Sequence, residues 1–203
     1  MKKVVVDGEE VIFEGDVPSE TSRIYQLLME ALSEQARVIY SIEVDGEPAN
    51  GDSFPETYNE INVVSMSHDE LTMKLSIQSL NQLSETEKTI DAYMKNILTL
   101  PWSEVFKRMN EFIDKIQPFA ELLDSISPYV DAYSPPWGKD LKKIAEDQAE
   151  SLEKILQSFE QGNPALLSDE LANGFIPVFN RSNKIFEKKV IPYLRAKVEA
   201  EAS

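Results

Sequence analysis

The chain of 203 residues has no cysteine, a single histidine, few glycines and no long apolar run. Without cysteine there is no disulfide, no thiolate metal site and no cysteine nucleophile. With His68 as the one imidazole, histidine-rich metal centres fail on count, including the Glu-x-x-His pairs of di-iron helical proteins. General-base and nucleophilic chemistry then falls to carboxylate, lysine and tyrosine, which leave no pattern in a sequence. The seven glycines form neither a phosphate cradle, nor a dinucleotide fingerprint, nor a nucleophile elbow. The acidic stretch from Asp45 to Asp52 lacks the alternating spacing that gathers oxygens around calcium. No metal and no cofactor are expected.

Basic residues are also in the minority. Twenty Lys and Arg face 36 Asp and Glu, a formal charge of −16, which repels phosphate backbones and anionic lipid. Nucleic acid and membrane surfaces are therefore excluded as expected partners. Val4-Val5-Val6 ends at Asp7, too short for the apolar core of a signal peptide. No stretch approaches the roughly 18 residues of a membrane helix, so a cytoplasmic location is expected.

What is present is helical periodicity. From Trp102, apolar residues fall at Val105 and Phe106, Met109, Phe112 and Ile113, Ile116, Phe119, Leu122 and Leu123, and Ile126. Steps alternating three and four keep one stripe on one side of a helix packed along its length. Phe112 and Ile113 are both expected in the core, with truncation of either costing roughly 2 to 5 kcal/mol. Compatible stripes run from Ile77 through Leu80, Leu83 and Ile90 to Ile97, from Leu141 to Phe159, and from Leu167 to Leu194. Pro118 predicts a kink near Gln117, Asn173-Gly174 and Pro177 a loosening of the last helix, and Pro192 a bend at its end. Gly162-Asn163-Pro164 predicts a tight corner, as a glycine stop, an N-cap and a first-turn proline.

The first third reads differently. Lys3–Val6 and Val11–Phe13 flank an Asp-Gly turn and predict a hairpin. A helix entered at Pro18 and running to about Ala36 precedes a strand over Arg37–Val44, with Val38, Tyr40, Ile42 and Val44 on one face. Val6-Asp7-Gly8-Glu9 recurs as Val44-Asp45-Gly46-Glu47, which turn chemistry explains without a duplicated domain. A loop follows over Asn50–Pro55, then a strand over Ile61–Met66. Ser67-His68-Asp69-Glu70 fits a capping box that starts a helix. Alternation from Leu71 to Ile77 offers a hairpin at His68-Asp69 instead, and the helical spacing that continues to Leu98 selects the helix.

The expected fold is α+β and mostly α, with a head over 1–66, an antiparallel four-helix bundle over 67–198, and a frayed tail over 199–203. The order hairpin, helix, strand, loop, strand resembles a β-grasp, and the whole resembles small uncharacterised acidic bacterial proteins with such a head and a helical C-terminal region. That resemblance implies no site.

Residues 1–67 hold 14 Asp and Glu against 4 Lys and Arg, so the head carries most of the acidic excess. This is either a solvated face or a dock for a basic protein. Between Ser127 and Gly138, Tyr129, Tyr133 and Trp137 stand among three prolines, as a cap on the bundle or as a recognition loop. The reading is a non-enzymatic protein-binding or adaptor module, its acidic head docking a basic partner. The alternatives are a chaperone-like bundle holding an amphipathic helix of a secreted or flagellar-type partner, and a carboxylate enzyme in a head–bundle cleft. Seam-like stripes also suit homo-oligomerisation.

Overall fold

The computed structural model describes residues 2–50 and 54–201, apart from the side chains of 82–86, 89 and 91. The chain is α+β, a five-stranded mixed sheet followed by long helices. It divides into two compact units, residues 1–71 and 72–203.

In the first unit, β1 (Lys3–Val6) and β2 (Glu9–Glu10) precede α1 (Thr21–Glu34), followed by β3 (Arg37–Val44), β4 (Glu47–Ala49) and β5 (Glu60–Ser67). The strands lie in the order β2-β1-β5-β3-β4. β1 runs parallel to β5, and every other pairing is antiparallel. Asp7-Gly8 and Asp45-Gly46 both have positive φ, 52° with 87° and 53° with 85°. Each closes a two-residue hairpin of the twist that flanking strands require. Because the turn is this tight, β2 begins at Glu9, and the expected second strand over Val11–Phe13 lies beyond the ladder.

α1 starts three residues later than Pro18 suggests. The Pro18 carbonyl accepts a hydrogen bond from the Tyr58 hydroxyl at 3.0 Å, and Glu20 bridges to Thr57, so this approach stays extended. The helix buries Ile24, Leu28 and Leu32 with Val4, Ile42, Val44, Ile61 and Val63. In β3 the pairing register shifts between Ile39 and Ser41. A bulge inserts one residue and reverses the alternation. Ile39 therefore packs with Ile42 and Val44, while Tyr40 is exposed. Of the loop expected at Asn50–Pro55, residues 51–53 lie outside the described residues; Phe54 packs on Tyr25, ring centres 4.8 Å apart.

Ser67 and Glu70 make the reciprocal cap: the Ser67 amide donates to Glu70 at 2.7 Å, and the Glu70 amide to the Ser67 hydroxyl at 3.2 Å. α2 (His68–Ile97) follows, so residues 70–78 are helical. Glu70 also lies 4.0 Å from Arg37, which places the first turn of α2 with the sheet.

In the second unit α3 (Trp102–Tyr133) runs through both Pro118 and Pro128. The expected linker from Ser127 therefore shrinks to Ser134–Trp137. A proline costs a helix interior about 3 kcal/mol. Burial of Phe119, Leu122, Leu123, Ile126 and Val130 on either side outweighs that cost. α4 (Gly138–Glu160) ends at the expected corner, where Gly162 has φ 61° and the Asn163 side chain accepts from the Leu166 amide at 3.1 Å.

Residues 164–201 then form one helical run, α5 (Pro164–Asp169), α6 (Ile176–Ile185) and α7 (Ile191–Glu201), joined by π-helical turns at Glu170–Phe175 and Phe186–Val190. The fully buried residues Leu167, Leu171, Phe175, Phe179, Phe186, Val190 and Leu194 share one stripe. Seven turns of α-helix take about 25 residues, whereas Leu167 and Leu194 are 27 apart. Each π turn accommodates one extra residue, and two of them keep the stripe in phase. Pro177 and Pro192 each stand two residues beyond the last residue of a π turn, the form taken by the loosening those prolines predict. Of the tail, Glu199–Glu201 are helical, and 202 and 203 lie outside the described residues.

The core of this unit is aromatic. Tyr93 stacks on Phe112 at 5.1 Å, and Phe112 and Phe119 both meet Phe175 edge-on.

Candidate functional site

The aromatic trio at the end of α3 divides. Trp137 and Tyr129 are buried, their rings stacked 5.9 Å apart and only 5° from parallel, and Trp137 meets Tyr193 edge-on. Tyr133 packs on Tyr129 at 4.7 Å and is 44% exposed. The trio closes a helix junction, and Tyr133 is the member that solvent reaches. His68 is half-buried at the start of α2. Among the described residues no three His, Asp or Glu side chains are placed to hold a metal ion.

A concave apolar feature of the helical unit lies between α3 and α4. Phe112 and Ile116 of α3 and Ile155 and Phe159 of α4 are buried and form its floor. Met109 and Ile113 wall it on one side, Leu152 and Leu156 on the other, around about 270 Å³. Ala120 also lines it, and Gln117 is its polar lining residue. Leu156 is 48% exposed, and Phe106, one turn before Met109 on the same face of α3, is 55% exposed. These are large apolar side chains held open to water beside a packed floor.

The groove exists because two helices carry more apolar surface than one seam uses. On α4, Leu141, Ile144 and Ile155 enter the core. Asp140 and Asp147 pair with Lys189 and Arg181, which ties α4 to the C-terminal helical run. Leu152 and Leu156 are then left at its shoulder. On α3, Phe112 goes to the core and Ile113 to the groove, so the two expected core residues divide.

The rims are acidic. Asp114 and Glu121 on α3 and Glu153 and Glu160 on α4 are exposed, and each stands three or four residues from a lining side chain, Gln117 on α3 and Leu156 on α4, and so beside it on the helix surface. Gln117 donates to Glu121 at 2.6 Å and Gln157 to Glu153 at 3.3 Å, both uncharged partners. The bases nearby are engaged or turned away. Lys107 is held by Glu104 at 3.0 Å and Lys154 by Glu150 at 2.7 Å. That bond and the Glu150 charge raise the Lys154 pKa. Arg108 lines a separate cavity with Tyr93 and Asn96.

The other groups with displaced pKa values lie elsewhere and have structural duties. Burial pushes the Tyr93 hydroxyl up to about 12 despite the charge of Arg108, and that hydroxyl donates to the Val105 carbonyl at 3.2 Å. Among the described residues the displaced carboxyls are Asp7 and Asp45, both in hairpin turns. The groove itself offers an apolar trough between carboxylate banks, an arrangement for binding. Comparison with family models, curated proteins and solved structures finds no match for the chain. No helix among the described residues is long and apolar enough to cross a membrane.

Proposed function

We propose that the chain is a non-enzymatic protein-binding module that holds a helical segment of another protein in the α3/α4 groove. The observation that carries this reading is the exposure of Phe106 and Leu156, with half-buried Ile113, beside a buried apolar floor. An amphipathic helix laid in a groove is a recurrent mode of peptide recognition, anchored by side chains at helical spacing. In this reading the first unit is a β-grasp head, supported by the strand order β2-β1-β5-β3-β4 with β1 parallel to β5 around one helix. The second is an antiparallel four-helix bundle of α2, α3, α4 and the run over 164–201. Of the two binding readings of the sequence, the bundle that receives an amphipathic helix has the more specific support, because the groove supplies a surface of the right shape. The acidic head is in this reading a separate, purely electrostatic dock for a basic partner.

The test is titration of the full chain with a labelled Leu-rich amphipathic peptide of about 14 residues bearing a neutral polar face, roughly the length of the groove at 1.5 Å per residue. Saturable binding that moves the Ile113 methyl resonance, and is lost in the Ile113→Asp, Leu156→Asp double variant, is the expected result. Equal binding by wild type and variant would remove the groove from the function.

A further inference from the structure

Resting on that reading of the groove, we infer that its occupant is a helix about four turns long carrying Lys or Arg along both flanks of its apolar stripe. The length follows from the apolar row. Phe106 and Ala120 are 14 residues apart on α3, about 21 Å at the helical rise, which a segment of about 14 residues matches.

The charge follows from the banks. Asp114 and Glu121 stand seven residues apart on one side, and Glu153 and Glu160 seven apart on the other. Seven residues are two helical turns, so each bank repeats its carboxylates in step with the heptad of a helix lying between them. Such a helix presents leucine-like residues to Ile113 and Leu156 and the two flanking positions of each heptad to carboxylates. Cations there meet acids on both sides, beside an apolar floor that keeps water away from one side of each pair. Acids there meet only repulsion. The same argument rejects a second copy of this chain as occupant, because face-to-face pairing sets Asp114, Glu121, Glu153 and Glu160 of one copy against the same four of the other. The chain's net charge of −16 adds to that repulsion and steers a basic segment toward the protein.

The experiment uses the full chain and three labelled peptides with one leucine stripe, differing only in Lys, Gln or Glu at the flanking positions. Affinities are read by anisotropy at about 50 mM and about 500 mM salt, on either side of effective screening. At low salt the Lys peptide should bind at least about tenfold tighter than the Gln peptide and the Glu peptide weakest, with the spread collapsing at high salt. In the Asp114→Asn, Glu121→Gln, Glu153→Gln, Glu160→Gln variant, the Lys peptide should lose its advantage over the Gln peptide. Equal affinities for Lys and Gln peptides, or a Lys preference that survives in the variant, overturn the basic-helix inference and leave the groove reading standing. Failure of all three peptides overturns both. A dimer in sedimentation that Ile113→Asp dissociates overturns the inference in favour of a second copy.

Discussion

Asp7 and Ser65, 58 residues apart, are joined twice: the Ser65 amide donates to one carboxylate oxygen at 2.7 Å and the Ser65 hydroxyl to the other at 2.6 Å. Arg37 completes the group, donating through Nε to the Ser65 hydroxyl at 2.7 Å and lying 3.5 Å from Asp7. The other hairpin turn does the same at the opposite end of β5, where Asp45 accepts from the amides of Asn59 and Glu60. Both turns thereby fix their hairpins to the central strand.

Acid should weaken the first unit through these two carboxylates. Burial pushes Asp7 upward, but the Ser65 hydroxyl and amide and the Arg37 charge outweigh it and hold its carboxyl below the usual 3.8. Asp45 is lowered by the amides of Glu60 and Asn59. A carboxyl with a depressed folded pKa contributes stability that is present above 3.8 and lost as pH falls through the folded value. Asp7→Asn keeps an Asn-Gly turn, which the positive φ accepts, while it removes the charge and turns one of the two acceptor oxygens into a donor. Urea unfolding should find this variant less stable than wild type at neutral pH, with the gap closing in acid. A gap independent of pH would show that the charge is not what the contacts serve.

Gly138 should tolerate no side chain. A Cβ there would lie 2.8 Å from Cγ1 of Val130, a stiff and buried β-branched residue. Gly138→Ala should cost about 1 to 3 kcal/mol in chemical denaturation, the range for overpacking. The Val130→Ala, Gly138→Ala double variant should be more stable than Gly138→Ala alone. An additive double variant would place the cause elsewhere.

The π turns predict an asymmetry between deletions. Removing exposed Asn173 takes the extra residue out of Glu170–Phe175, returns that turn to α-helix and leaves Phe179, Phe186 and Leu194 facing the core. Its cooperative melt by circular dichroism should persist, shifted by a few degrees. Removing exposed Ala149 from α4, which has no π turn, rotates all that follows in that helix by about 100° and should abolish the cooperative transition. Equal losses would argue that the π turns are not single-residue accommodations.

Where a local rule had no competitor, the sequence was a sufficient guide. The Ser67–Glu70 cap, the Gly162–Pro164 corner and the two Asp-Gly turns each rest on a few adjacent residues, and each forms as its chemistry requires. Longer-range effects decided the rest. Pro128 reads as a linker residue until Tyr129 and Val130 are seen to be buried on the helix it interrupts. The bulge at Tyr40 depends on a register set by β5, and nothing in Arg37–Val44 announces it. The groove left a trace that the single-stripe reading absorbed. Val105-Phe106, Phe112-Ile113 and Ile155-Leu156 are adjacent apolar pairs, and a helix turns about 100° between neighbours. The first of each pair is buried and the second walls or extends the groove. A stripe that wide has two faces to cover, and the sequence does not say that only one is covered from within.

The parallel ladder from Lys3 with Glu60 to Val6 with Val63 gives the first unit a timetable. A ribosome releases Val6 more than fifty residues before β5 follows, and in that interval β1 has only the two residues of β2 for a partner. Nascent β1 is thus a bare apolar edge in need of a guard against neighbouring chains, and charge on an edge is a known safeguard. Glu9 and Glu10 stand on the one strand already beside it. Two carboxylates beside β1 thus oppose pairing with a neighbouring chain while β5 is still to come.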